Sequence, residues 1–422
     1  MELLGRSSQL QSIDLLCRIL DLTTPHQAIL EELTQLDLQG WENFRAVAQE
    51  QRMMPLLYAR LKPLFAETPI PSDFQNNLRD SYYTIAAKNT LKLHHAGILI
   101  SAIRAAGIDV IGLKGIYLVE NLYQRIGCRS FSDIDILVRK KDLQGTIKNL
   151  ENLGYQLSTY FAIGDGNLDI KHVPPMINAN GLPIEIHWTI LEEDEPFTIN
   201  AQGLWQRAMP AKIAGIDALA LSHEDLLLHL CLHLGYQHSW NIGLPGLVDI
   251  AKVLHNYKGQ LDWTKLSAIA QAWGVERVTW MTLRLAQDLL GAEVPPAILM
   301  ALKPATLEPW MLAEARADLL NRSSRPEPMT PDLAKLAAEQ GLWRRLKILF
   351  SRVFLSKQTL ARLYNVPPTS RRIYACYLRR FLDLLRQYGD TLKRSVKRNQ
   401  ALQSAAEKEI SRQRLKAWLG KH

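Results

Sequence analysis

Two stretches decide the fold: Asp109-Val110-Ile111-Gly112-Leu113-Lys114-Gly115, and Arg129-Ser130-Phe131-Ser132-Asp133-Ile134-Asp135-Ile136-Leu137-Val138. The first is short, apolar and β-branched, which predicts a buried strand ended by Lys114-Gly115, with a short helix over 116–123 after it. The second predicts a strand over 133–138. Side chains alternate along a strand, so Asp133 and Asp135 share one face while Ile134 and Ile136 point to the core. Working outward, Asp142 stands where it can cap a helix through Leu143, Ile147, Leu150 and Leu153, stopped by Gly154. A further strand is expected over 155–163, and Gly164-Asp165-Gly166-Asn167 reads as a turn. Asn178-Ala179-Asn180-Gly181 is a hairpin turn leading into Pro183-Ile184-Glu185-Ile186-His187-Trp188. The fold class that follows is α+β, with a small mixed sheet over 107–200 flanked by helical regions on both sides.

On the N-terminal side, residues 1–106 read as four helices. Ser7-Ser8 can cap the first, the second starts near His26, the third runs from Trp41 past Leu61, and a long fourth runs from Ser72-Asp73 to Gly107. The pair His94-His95 reads as a helix-surface feature. Beyond residue 200 the helical period returns over 201–322. Ser222-His223-Glu224-Asp225 caps an apolar helix over 226–234, and further helices are expected at 247–254, 263–273 and 278–290. Asn321-Arg322-Ser323-Ser324-Arg325-Pro326-Glu327-Pro328 marks a linker, and 323–422 is a linker with a basic helical tail.

Composition bounds the classes. The chain of 422 residues is 47% hydrophobic and 22% charged, values of an ordinary globular protein. The best apolar run, 96–112, is broken by Arg104 and Asp109, so no membrane span is expected. The first residues hold no apolar core long enough for a secretory signal. The four cysteines are scattered without a Cys-x-x-Cys pair, which fits a reducing, cytoplasmic location. The net charge of +8 is unevenly spread. Residues 341–422 hold 20 Lys and Arg against 4 Asp and Glu, so that end carries +16 and the rest −8.

The chemistry lies in the α+β segment. Two aspartates side by side on one strand face repel each other unless a cation sits between them, and a divalent ion supplies one. A bare Asp-x-Asp also fits a solvated edge strand. Its context adds a glycine at a strand-to-helix turn, where backbone N–H groups and a helix N-terminus receive phosphate, with the Lys114 cation beside it. Glu185, flanked by isoleucines, faces away from the core and is a candidate third carboxylate. Three carboxylates can hold two metal ions, which align an attacking oxygen and a leaving pyrophosphate at phosphorus.

This set resembles the nucleotidyltransferase superfamily with the polymerase-β-like fold. More specifically it is similar to a bacterial group of uncharacterised nucleotidyltransferases. The resemblance is carried by Leu113-Lys114-Gly115-Ile116-Tyr117-Leu118, Leu122-Tyr123, the stretch from Gly127 to Val138, Ile184-Glu185-Ile186-His187-Trp188, and the helical motif 224–234. It implies transfer of a nucleoside monophosphate from an NTP to an acceptor hydroxyl with release of pyrophosphate. Asp133, Asp135 and Glu185 would be the catalytic and metal-binding residues, with Mg²⁺ or Mn²⁺. Lys114, Gly115, Arg129, Ser132 and His187 would be the nucleotide contacts. Many members carry Gly-Ser or Gly-Gly after the first strand, whereas this chain has Lys-Gly-Ile, with Lys114 the expected substitute for the serine hydroxyl. Glu185 in place of Asp reaches one methylene further. The acceptor is open among small molecule, sugar, protein and RNA. The alternative is a catalytically inactive nucleotide-binding or adaptor protein on the same scaffold.

His229 and His233 share a helix face, with His238 and Asp249 nearby in sequence. Packing along the helix is the favoured reading, ahead of nucleotide or acceptor contact and of an independent metal site. In the tail, paired basic residues interleave with Tyr374, Tyr377, Phe381 and Tyr388. The aromatic residues, with Leu384 and Leu385, would form one apolar stripe. The basic residues fit a helix on the acidic body, a nucleic-acid contact, or an anionic membrane or acidic protein partner.

Overall fold

The computed structural model describes residues 2–67, 70–157, 173, 175–179, 181–192, 195–321, 370–380, 382 and 399–420. The chain divides into two compact units. The larger comprises Met1–Gln156, Asp169–Ser323 and Leu419–His422.

Its N-terminal part is helical: α1 (Glu2–Leu20), α2 (His26–Leu33), α3 (Leu38–Glu50), α4 (Met54–Leu61) and α5 (Ser72–Ala105). The expected single helix from Trp41 past Leu61 is two, because Arg52 adopts a left-handed conformation (φ 57°) that no helix interior accommodates. Helix α1 begins before Ser7-Ser8, and α5 begins after Pro71 without a side-chain cap.

The sheet has seven strands in the order β3-β4-β5-β2-β1-β7-β6. In chain order they are β1 (Ile111–Gly112), β2 (Ile134–Leu137), β3 (Gln156–Leu157), β4 (Met176–Ile177), β5 (Pro183–His187), β6 (Met209–Ile213) and β7 (Ile216–Ala220). Between them lie α6 (Lys114–Asn121), α7 (Leu143–Asn152) and α8 (Ala201–Arg207). The strand-turn-helix 111–121, the Asp-x-Asp strand and the hairpin into β5 all form, the last turning through Gly181 at φ 73°. Residues 158–172, which include the rest of the expected strand 155–163 and the turn at 164–167, lie outside the described residues.

The strands β6 and β7 were not foreseen. They pair antiparallel across Ala214 (φ 53°) and Gly215 (φ 76°), the two positive φ values that a tight hairpin needs. Strand β7 pairs parallel with β1, so the sheet continues past residue 200. Alanine is a poor strand former, and the Ala-Leu-Ala run conceals the period of two.

One face of the sheet builds the core. Ile134 and Ile136 of β2 and Ile184 and Ile186 of β5 are buried against Leu99, Ile100 and Ile103 of α5. The odd-numbered residues of both strands face the other way. The sheet is followed by α9 (His223–Cys231), a wider π-helical turn (Leu232–Gln237), α10 (Leu244–Asn256), α11 (Trp263–Trp273), α12 (Glu276–Leu290), α13 (Pro296–Ala301) and α14 (Pro309–Leu320). Ser222 caps α9 by accepting from the Asp225 N–H, as expected. Helix α1 lies against α12, and the Gln51 amide donates to the Leu320 carbonyl at 2.6 Å, so helices from before and after the sheet meet in one layer.

Of the smaller unit, Leu157–Leu168 and Ser324–Trp418, the described part is a helical segment at 373–380 and most of a helix over Asn399–Leu419. Ile373 and Cys376 are buried there, while Tyr374 is exposed. Tyr374 therefore does not lie on a buried stripe; Phe381, Leu384, Leu385 and Tyr388 fall outside the described residues. So do the linker beyond Asn321 and the basic clusters at 344–345 and 393–398. All four cysteines are free and buried. Among the described residues, no helix is long and apolar enough to cross a membrane.

Candidate active site

The site forms on the face of β2 and β5 opposite the isoleucines. The two strands pair parallel, with Asp135 opposite Glu185 and Leu137 opposite His187. Parallel register sets the two carboxylates side by side although fifty residues separate them. The His187 Nε2 lies 2.8 Å from Asp135 Oδ1 and 3.4 Å from Glu185 Oε2. Lys114, first residue of α6 and held at φ 38°, brings its Nζ to 3.2 Å from the same Asp135 oxygen. The Leu113 N–H donates to the Asp135 carbonyl at 3.0 Å, tying the strand-to-helix turn to β2.

Electrostatics separates the two aspartates. Burial opposes the charge on Asp135, but Lys114 first and then His187 outweigh it and hold the carboxyl well below the usual carboxylate range. Asp133 lies just before β2 and is half-buried. Burial, and next the Asp135 charge, push its carboxyl up; Lys114 pulls the other way, and Glu185 adds to the rise. Asp133 thus feels Asp135, Lys114 and Glu185. Asp133 nonetheless stands apart from the tightest group. Asp135, Glu185 and His187 each offer one ligand atom, and these atoms all lie within 4.8 Å of one another. Among the described residues this is the one such group. Two carboxylates and an imidazole suit a divalent cation, which would replace the present contacts of Lys114 and His187 to Asp135.

The other expected nucleotide contacts each have a defined surrounding. Gly115 is buried beneath Phe131: an added Cβ would come 2.6 Å from the Phe131 Cβ, so the lack of a side chain is used for close approach. Ser132 is exposed. Arg129 is committed to Asp249 of α10. Its Nε donates to both carboxylate oxygens at 2.8 and 3.0 Å, and its Nη2 donates to one at 2.8 Å. The Tyr123 hydroxyl donates to the same carboxylate at 2.7 Å. Burial disfavours the guanidinium charge, but Asp249 more than compensates and the pKa rises.

Four more residues take part in the site: Lys92, Tyr123, Asp249 and His233, of which Lys92 had no role assigned from sequence. Lys92 of α5 donates to the Phe131 carbonyl and feels the Asp133 charge. Asp249 and Tyr123 clamp Arg129, and hence the start of the Ser130-Phe131-Ser132-Asp133 approach to β2. His233 lies in the π-helical turn, its Nδ1 3.0 Å from Gln237 Oε1 and its ring parallel to that of His229, with centroids 6.2 Å apart. Burial, then Lys114, push its imidazole well below the ordinary value, and its charge when protonated would favour ionised Asp135. His233 is therefore within electrostatic reach of Asp135 and Lys114. A π-helical turn shifts the helix face by one residue, and the i, i+4 spacing alone gives no sign of that shift.

No curated protein matches the chain, and no solved structure matches it. Residues 37–291, well over half of the sequence, match the family described as uncharacterised nucleotidyltransferase. That span takes in α3 to α12, the whole sheet, the Asp135–Glu185–His187 group and the Arg129–Asp249 clamp. The chain belongs to the uncharacterised nucleotidyltransferase family.

Proposed function

We propose that the protein is a divalent-metal-dependent nucleotidyltransferase. It transfers a nucleoside monophosphate from an NTP to an acceptor hydroxyl and releases pyrophosphate. The observation that carries this reading is the register of β2 and β5, which sets Asp135, Glu185 and His187 together beside the first turn of α6. Asp135, Glu185 and His187 would hold the ion, and Asp133, pushed up by burial, would complete the ligand set once ionised. The bound ion supplies charge neutralisation on the transferred phosphoryl group. Lys114 turns its ammonium from Asp135 to the phosphates, and the N-terminus of α6 adds backbone N–H groups. Glu185 is the more open of the two paired carboxylates, at 23% exposure against 2% for Asp135. In this reading Glu185, where its carboxylate is not taken up by the ion, would take the proton of the acceptor hydroxyl as that oxygen bonds to the α-phosphorus and the bond to the pyrophosphate breaks.

The Lys114–Asp135 ion pair favours a second reading, in which the ammonium takes the place of the cation and the scaffold binds nucleotide without turning it over. One experiment separates the two. The full chain is incubated with labelled ATP, CTP, GTP or UTP, Mg²⁺ or Mn²⁺, and cell extract. Transfer of label by the wild type, lost in Asp135→Asn and Glu185→Gln, supports the enzyme. Nucleotide binding without metal, and no transfer with any NTP, supports the second reading.

A further inference from the structure

Beside the carboxylate face lies a cavity of ≈ 80 Å³ in which cations outnumber acids. Met53 and Leu56 of α4 and its approach, with Ile242 before α10, give it apolar walls, and His233 borders it on the side toward Asp135. Arg129 faces it with an unusual surplus. Two of its nitrogens bind Asp249, while Nη1 is buried and has no hydrogen-bond partner among the described residues. A guanidinium carries five N–H donors, and a buried unmet donor is costly unless something occupies the space before it.

The surroundings repeat the imbalance. Arg52 lines the rim, held there by its left-handed turn. Lys252 of α10 is half-buried, with its Nζ 5.2 Å from the Tyr123 ring centroid, and pairs with no carboxylate among the described residues. Burial pushes the Cys128 thiol, on the cavity wall, up to about 11, and Lys252 and Arg125 lie close enough to pull the other way. Of the groups lining the cavity, Arg52 and Arg129 are cationic and Asp249 is the one carboxylate, with Arg125 and Lys252 behind the Cys128 wall. Such a concentration of like charge around a small cavity attracts an anion. The volume suits a single carboxylate or phosphate group and excludes a whole nucleotide.

We propose that this cavity binds an anionic group, carboxylate or phosphate monoester, carried by the acceptor. The acceptor is then an anionic molecule whose hydroxyl reaches past His233 to the Asp135–Glu185 pair. Calling the bound molecule the acceptor rests on the nucleotidyltransferase reading; the anion site itself rests on the cavity and its cations alone.

The test uses the full chain with inorganic phosphate as probe in calorimetric titration, beside a separate titration with ATP and Mg²⁺. Two variants serve: Arg52→Asn, exposed and tolerant of the left-handed backbone, and Lys252→Met. Phosphate affinity should fall about tenfold in Arg52→Asn, the scale of one lost charge-assisted contact, and about threefold in Lys252→Met, which acts through its field rather than by contact, while ATP affinity stays within about twofold. Absence of phosphate binding to the wild type, or equal binding by the variants, overturns the site. ATP affinity falling in step with phosphate affinity, with the two ligands competing, assigns the cations to the nucleotide and overturns the acceptor. Variant-sensitive phosphate binding by a chain that, in the same titration, binds none of ATP, CTP, GTP and UTP supports the anion site and sinks the nucleotidyltransferase reading instead.

Discussion

Replacing Asp249 with leucine should cost the protein about 3–5 kcal/mol, the range for removing one partner of a buried ion pair. The structure argues for that range. The Asp249 side chain is 4% exposed and that of Arg129 16%. The carboxylate accepts three N–H contacts from Arg129 at 2.8 to 3.0 Å and the Tyr123 hydroxyl at 2.7 Å. Asp249→Leu strips all four and leaves a guanidinium without its counter-charge. The double variant Arg129→Met/Asp249→Leu removes both charges, leaving chiefly the Tyr123 hydroxyl unmet at about 1–3 kcal/mol. It should therefore be more stable than Asp249→Leu alone. Urea unfolding followed by circular dichroism measures this. With a slope near 3 kcal/mol per molar, the single variant shifts the midpoint by about 1 M or more and the double variant recovers part of it. A loss below about 1 kcal/mol in the single variant, or a double variant as unstable as the two single losses added, would refute the clamp.

Three further outcomes are expected. Gly115→Ala should cost about 1–3 kcal/mol through overpacking, and Phe131→Leu should not relieve it, because the clash is with the Phe131 Cβ; rescue by leucine would contradict the geometry. His187→Gln should weaken Mn²⁺ binding at least about tenfold, measured by electron paramagnetic resonance titration, and an unchanged affinity removes His187 from the ligand set. His233 is held well below its ordinary 6.5 in the fold, by burial first and then Lys114, so the unfolded chain takes up the proton more readily. Its contribution to stability is complete above about pH 6.5 and is lost as pH falls toward the folded value, by up to about 1.4 kcal/mol per pH unit. His233→Gln should flatten that part of the stability–pH curve, and curves that stay parallel between pH 6.5 and 5 count against the assignment.

The parts legible in the sequence are those where local pattern and tertiary role agree. Ile134, Ile136, Ile184 and Ile186 alternate with acids, so the buried face and the charged face were both readable before any contact was known. The hairpin at Gly181 announced itself through turn chemistry. What escaped depends on partners distant along the chain or on backbone states that residue type conceals. Ala214 in a left-handed conformation hides the β6–β7 hairpin inside an alanine-rich run. Arg52 breaks a helix that its side chain favours. The partner of Arg129 was not readable, because nothing near it in sequence names Asp249, 120 positions away. His187 rather than Asp133 joins the tightest group, since Asp133 precedes the paired part of β2 and only pairing imposes register.

That pairing has a consequence for how the protein acquires its chemistry. Displacing β5 by a single residue along β2 would turn Glu185 and His187 inward and expel Ile184 and Ile186 into water. The oily side of the ribbon therefore proofreads the polar side: a misaligned intermediate is penalised by what it buries before it could ever misplace a ligand. Alignment of the Asp135–Glu185–His187 group and consolidation of the interior are one event, and a partly assembled chain has no half-aligned version of the group to expose.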